Sequence, residues 1–212
     1  MILYVNGDSH SLGVMPHDAS RKSFVDILSE YFNLDVVNQA CAAASADSVV
    51  RKTEHFVSTV TPNLVLIGWG AWDREEWLHD GKYYNAMEHW NKHLPDELQS
   101  KYQIWVNNLG PEYLNSNSKK AHTKIFDLHQ SLSVKKIPHL FFNCMYNFFE
   151  ISDTEKKDWN NCYIGPYDNN SSYYWYLTGG KFISDKWYHF GPEGHKAWAD
   201  VLIKYIKENK IL

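Results

Sequence analysis

The sequence lacks the features that announce several large classes of protein. It has no apolar run approaching the ~20 residues of a membrane span, and no Lys/Arg-rich stripe of the kind that tracks a phosphate backbone. Lysine and arginine number 21 against 25 aspartates and glutamates, a net charge of −4, so neither nucleic acid nor a membrane surface is an expected partner. Cysteine is scarce. Cys41, Cys144 and Cys162 are an odd set at unrelated spacings, which excludes a disulfide framework and a zinc knuckle and fits buried thiols or a reducing compartment. The first residues carry no charged stretch ahead of a long apolar one, so no signal peptide is expected. Internal repeats and low-complexity tracts are missing too. Aromatic residues are what the chain has in excess, at 16% with nine Trp and fourteen Tyr, and their placement has to be explained.

A chain of 212 residues suits one domain, residues 1–212, with an elaborated loop. Ile2–Val5 predicts a short buried strand. Phe24, Ile27, Leu28, Tyr31 and Phe32 recur at helical spacing and predict a helix over Ala19–Phe32. The pair Val36-Val37 gives a second strand within Asp35–Asn38, Ser45–Val60 a second helix, and Asn63–Ile67 a third strand, apolar throughout as in a strand covered on both faces. Tyr83–Asn107, interrupted at Pro95, and Ser118–Ser133 read as helices. His139–Phe142 is a fourth strand, and Pro192–Glu208 a closing helix with Pro in its first turn. Residues 143–184 lack periodicity, and a loop that long is often functional. Alternating strands and helices predict an α/β fold, a three-layer α/β/α sandwich with a central, mostly parallel sheet. Sites in such sheets lie at the carboxyl ends of the strands. That rule points to the loops after Val5, Asn38 and Ile67, and to the segment around His189.

Each of those places carries chemistry. Asn6-Gly7-Asp8-Ser9-His10 has a glycine for a tight bend and a serine just past a strand. A serine needs a base within hydrogen-bond reach to act as a nucleophile, and Asp185, His189 and His195 stand ahead of or within the start of the last helix. Ser9 alone reads more simply as a turn or capping residue. Asp185, His189 and His195 could also be read as a metal set, but their spacing matches no compact motif. No metal or other cofactor is expected.

Gly7-Asp8-Ser9 near the start, with a late Asp and His beside the terminal helix, resembles the SGNH (GDSL-type) hydrolase superfamily, whose fold is flavodoxin-like. The resemblance extends over most of the chain. Asn38–Ser45 stands where the family has its second block, Leu66-Ile67-Gly68-Trp69-Gly70 its third, and His189-Phe190-Gly191-Pro192-Glu193-Gly194-His195 is similar to its last. The resemblance implies Ser9 as nucleophile, His189 as base and Asp185 as the acid orienting it. It implies oxyanion donors at the amides of Ser9 and Ala43 and at Gly70, where the family carries an Asn side chain and this chain has none. It also implies that the last block absorbs an extra residue, because the position three before His189 is Lys186. Gly68-Trp69-Gly70 followed by Trp72-Asp73-Arg74 and Glu75-Glu76-Trp77 is most similar to SGNH-like proteins of tailed phages, which implies a virion or host-glycan role besides a cytoplasmic one.

The activity so implied is ester hydrolysis through an acyl-enzyme, with a small-molecule or glycan ester as substrate and acetyl on a carbohydrate as one candidate. A binding or structural module that keeps the fold without turnover is the alternative. Trp69 and Trp72 are expected to line the cleft, with Arg74 leaning towards an anionic or hydroxyl group. Asp73–Glu76 read most simply as a charged helix start or a surface ion pair. The seven aromatic rings of Trp159–Leu177 suit either stacking on a ligand or a satellite core that pins the loop. Oligomeric state is not legible.

Overall fold

A five-stranded sheet, parallel throughout, organises the computed structural model, which describes residues 1–13 and 22–212. In chain order the sheet strands are β1 (Ile2–Gly7), β2 (Asp35–Asn38), β3 (Leu64–Trp69), β6 (His139–Asn143) and β7 (Tyr163–Ile164). They lie in the spatial order β2-β1-β3-β6-β7. Every residue of β3 and β6 is buried, as continuous apolar runs dictate when helices cover both faces. On one face Leu3, Val5, Leu64, Leu66, Leu140 and Phe142 pack against α2 (Phe24–Phe32), α6 (Tyr173–Gly179) and α7 (Pro192–Glu208). On the other, Tyr4, Val65, Ile67, Trp69 and Phe141 pack against α3 (Ala46–Thr59) and α5 (Pro111–Val134).

Local chemistry sets the helix ends. Ser23 and Asp26 form a reciprocal capping box on α2, whose other end is Asn33 at φ 51. Ser45 caps α3 by accepting from Ser48 N. The expected helix from Ala19 starts instead at Phe24, because Ser23 caps it there; Ala19–Arg21 lie outside the described residues. The closing helix occupies Pro192–Glu208, as its sequence period predicts.

Two expectations fail. Tyr83–Asn107 is not one helix: β4 (Glu75–His79) and β5 (Lys82–Ala86) form an antiparallel hairpin, and only α4 (Asp96–Asn107) is helical. The hairpin turns at Asp80-Gly81, both with positive φ (47 and 73), the two-residue Asp-Gly connection whose twist matches its strands. Nor do Asp73–Glu76 open a helix, since Glu75 and Glu76 begin β4 and Glu76 takes a two-pronged ion pair from Arg51. The hairpin buries Trp77 and Ala86 against Leu98, Tyr102 and Trp105 of α4, a third and separate apolar cluster. Residues 143–184 are likewise structured, carrying β7, a 3-10 turn at Asn169–Ser171, and α6.

The strand order fixes where a site can form. From β1 the chain moves outward to β2, then returns to β3 on the other side of β1. Connections leaving β1 and β3 therefore diverge and open a crevice at the strands' carboxyl ends.

Candidate active site

Ser9 begins α1 (Ser9–Leu12), a single helical turn wedged against that crevice. Two paired glycines make room for it. Gly7 and Gly68 are partners in the β1–β3 register, and a Cβ on either would fall within 2.5 Å of Ser11 Oγ. Gly7 also holds φ 136, which disfavours any side chain. The neighbours of Ser9 are locked. Asn6 Oδ1 accepts from Gly7 N while its Nδ2 reaches Val49 O and Thr53 Oγ1 of α3. Asp8 is fully buried, and its carboxylate accepts from His10 N and faces His10 Nδ1, both at 3.0 Å, and accepts from Arg74 Nη1 at 2.9 Å. Burial alone would raise the Asp8 pKa, but His10 and Arg74 together outweigh it and hold the carboxyl far below the usual range.

The candidate base arrives from the other end of the chain. His189 Nε2 lies 2.9 Å from Ser9 Oγ, and His189 Nδ1 lies 3.5 Å from Asp185 Oδ2. Asp185 Oδ1 accepts from the amides of Trp187 and His189 at 2.8 and 2.9 Å. The extra residue between acid and base is absorbed by a tight hairpin: Tyr188 N donates to Asp185 O, Asp185 N donates to His189 O, and Ser184 bridges Phe190. Tyr188 takes the left-handed position (φ 67) that a three-residue loop of this kind requires. Burial lowers the His189 pKa, and the nearby His10, its ring 5.3 Å away, adds to that; Asp185 opposes both. The imidazole is thus biased towards the neutral form, the form able to take a proton from Ser9.

The loop after β2 runs alongside β1, with Gln39 N donating to Val5 O and Cys41 N to Gly7 O. Asn38 Nδ2 ties it to Ser11 O. Cys41–Ala44 form a turn closed by Ala44 N and Cys41 O, and Ala43 sits in its third position at φ 60. Glycine is the usual residue there. Ala43 is nevertheless buried beside this end of the sheet.

At Gly70 the structure gives a physical reason for a missing side chain. A Cβ there would lie 2.5 Å from Arg74 Nη1 and 3.0 Å from Asp8 Oδ2. The Arg74 guanidinium occupies that space, its side chain nine-tenths buried, and its Nε has no hydrogen-bond partner among the described residues. Arg74 is not a surface ion pair: its partner Asp8 is wholly buried.

Two expected site residues are elsewhere. Trp69 is wholly buried, because β3 extends through it and its register with Asn143 turns the ring into the second core. Trp72 is 4% exposed, stacked on Phe148 with its Nε1 donating to Asn147 O. Neither lines a cleft. His195 is a structural residue, as the resemblance implies: it accepts from the backbone Phe24 N through Nδ1 and stacks on the Phe24 ring. The aromatic loop divides: Trp159, Tyr163 and Tyr173 are buried, Tyr167 and Tyr174 are partly buried against the two cores, and Trp175 and Tyr176 are exposed.

Two rings that sequence reasoning missed, Tyr146 and Tyr188, stand near the site with Tyr174 of the aromatic loop. Tyr174 meets Tyr188 edge-on at 5.2 Å, and burial, with Tyr188 and Asp73 nearby, raises the Tyr146 pKa. Tyr146 follows β6, and the carboxyl-end rule applied to that fourth strand would have found it.

No protein-family model and no curated protein sequence matches the chain. Solved structures do match in fold. The psychrotrophic esterase EstA from Pseudoalteromonas sp. aligns with a TM-score of 0.54 at 12% identity, covering 98% of this chain and 97% of that one. A lipase/acylhydrolase from Enterococcus faecalis gives 0.55 at 13% identity over 98% and 96%. An acetyl xylan esterase, AlAXEase, gives 0.52 at 14% identity over 97% and 100%. The three-layer α/β/α architecture is thus one shared with solved esterases and acylhydrolases.

Proposed function

We propose that the protein is a serine ester hydrolase working through an acyl-enzyme. The observation carrying this reading is the 2.9 Å contact between Ser9 Oγ and His189 Nε2, two groups 180 residues apart in sequence. In this reading His189 takes the Ser9 proton as Oγ attacks the ester carbonyl, then passes it to the departing alkoxide. Asp185 holds the imidazole and stabilises its charge. Water repeats the sequence on the acyl-enzyme. The developing oxyanion is received by the amides of Ser9 and Ala43 and by the Arg74 guanidinium, which stands where Gly70 leaves room. A preorganised donor of this kind contributes on the order of 10²–10³ in rate. Tyr146, Tyr174 and Tyr188 suit the apolar face of a sugar ring, so a small acyl group such as acetyl on a carbohydrate is the favoured substrate.

Fluorophosphonate labelling together with short-chain ester hydrolysis tests the reading. Wild-type protein is expected to label at Ser9 and turn over, with Ser9→Ala losing both and on the order of 10⁴-fold or more in kcat. Equal activity in wild type and Ser9→Ala would sink it and leave a binding module.

A further inference from the structure

Three donor groups that this chemistry does not use converge at the opposite end of the sheet. His129 comes from α5, His139 is the first residue of β6, and Cys162 immediately precedes β7. Each offers one ligand atom, and the three atoms lie within 4.8 Å of one another. His129 Nδ1 and His139 Nε2 are 2.8 Å apart. His139 Nδ1 donates to Ile137 O, also at 2.8 Å, which leaves the lone pair of its Nε2 facing the cluster. A backbone carbonyl on the far nitrogen is how metal-bound histidines are commonly oriented. Both rings are buried among Phe126, Phe141 and Trp159. Cys162 is half-buried, which leaves its side of the cluster nearer to solvent.

We propose that His129, His139 and Cys162 form a binding site for a zinc-class divalent cation, with water in the fourth position. Two imidazoles and a thiolate are a borderline-soft donor set suited to such an ion. Tetrahedral zinc bonds place two ligand nitrogens about 3.3 Å apart, so the histidine pair has only to open by roughly half an ångström. On binding, the Cys162 thiol releases its proton to solvent, and the His129 proton moves from Nδ1 to Nε2. The ion would be structural. It would tie α5 and the head of β6 to β7, a two-residue edge strand. His139 begins its strand whereas Ser9 follows the end of another, so the site is independent of ester hydrolysis.

Titration of chelator-treated, reduced full-length protein with Co²⁺ tests this. One equivalent should bind with the visible bands of tetrahedral cobalt and a near-ultraviolet thiolate charge-transfer band, both bleached by Zn²⁺. Cys162→Ser should abolish the charge-transfer band and weaken Zn²⁺ binding at least tenfold. Cys41→Ser, at the other half-buried thiol, should keep both. Zn²⁺ should raise the wild-type Tm. Absence of stoichiometric binding, or a charge-transfer band that survives in Cys162→Ser, would overturn the proposal and leave a hydrogen-bonded histidine pair.

Discussion

The two halves of the candidate active site are built on opposite principles. Ser9 is framed by buried groups: Asp8 has no exposed surface, Arg74 is one-tenth exposed, and Asn6, His10 and Ser11 are all buried. His189 and Asp185 ride on an exposed hairpin, with side chains 12% and 24% exposed and Trp187 and Tyr188 beside them in solvent. An ion pair withdrawn from water must be fully satisfied or it destabilises the fold, whereas one at the surface is screened and contributes little. The nucleophile side is therefore held by desolvated charge. The base side is held by backbone, since Asp185 closes its own turn through two amides.

The largest expected effect tests the buried half. Arg74→Ala strips Asp8 of its guanidinium partner and should cost about 3–5 kcal/mol of stability, read as a lower midpoint in urea unfolding. A loss below 1 kcal/mol would mean that His10 alone satisfies Asp8 and that the contrast between the halves is overstated. Asp185→Asn probes the exposed half. The same change in a triad with a tight acid–base hydrogen bond costs about 10⁴ in kcat. Here the Oδ2–Nδ1 separation is already 3.5 Å, so a smaller loss, on the order of 10²-fold, is expected with little change in stability. A full 10⁴-fold loss would show that the hairpin is as preorganised as the serine turn.

The pH profile joins the two halves. In the proposed mechanism His189 must be neutral, so kcat/KM is expected to fall as pH drops through its pKa. Burial and His10 set that pKa below the ordinary 6.5, and the acid limb should lie there. His10→Gln removes the neighbouring ring and should move the limb upward in pH. The smallest effect is at Ala43, held at φ 60, where a residue with a Cβ costs roughly 1–2 kcal/mol. Ala43→Gly relieves that strain but loosens the unfolded chain by about 0.4–1 kcal/mol. A net gain near 0.5 kcal/mol should appear in urea unfolding.

Much of the fold was legible because its signals are local. Apolar runs marked β1, β3 and β6, and capping serines and Pro192 marked helix starts. Asp80-Gly81 was an equally local hairpin signal, passed over because Tyr83 to Asn107 could also be read at helical spacing. β7 was not legible, since two residues carry no period. Trp69 was misplaced by two residues of strand length, since the strand expected to end at Ile67 runs on through Gly68 and Trp69 and carries the ring into the core.

The sequence by itself determined the alternation of strands and helices, the serine turn behind β1 and the absence of a side chain at position 70. Those follow from residue type and spacing along one stretch of chain. Only the tertiary structure decided that His189 reaches Ser9, that Arg74 fills the space beside Gly70, and that His129, His139 and Cys162 meet. Each depends on strand order and register, which bring together groups from 10 to 180 residues apart and which no local pattern encodes.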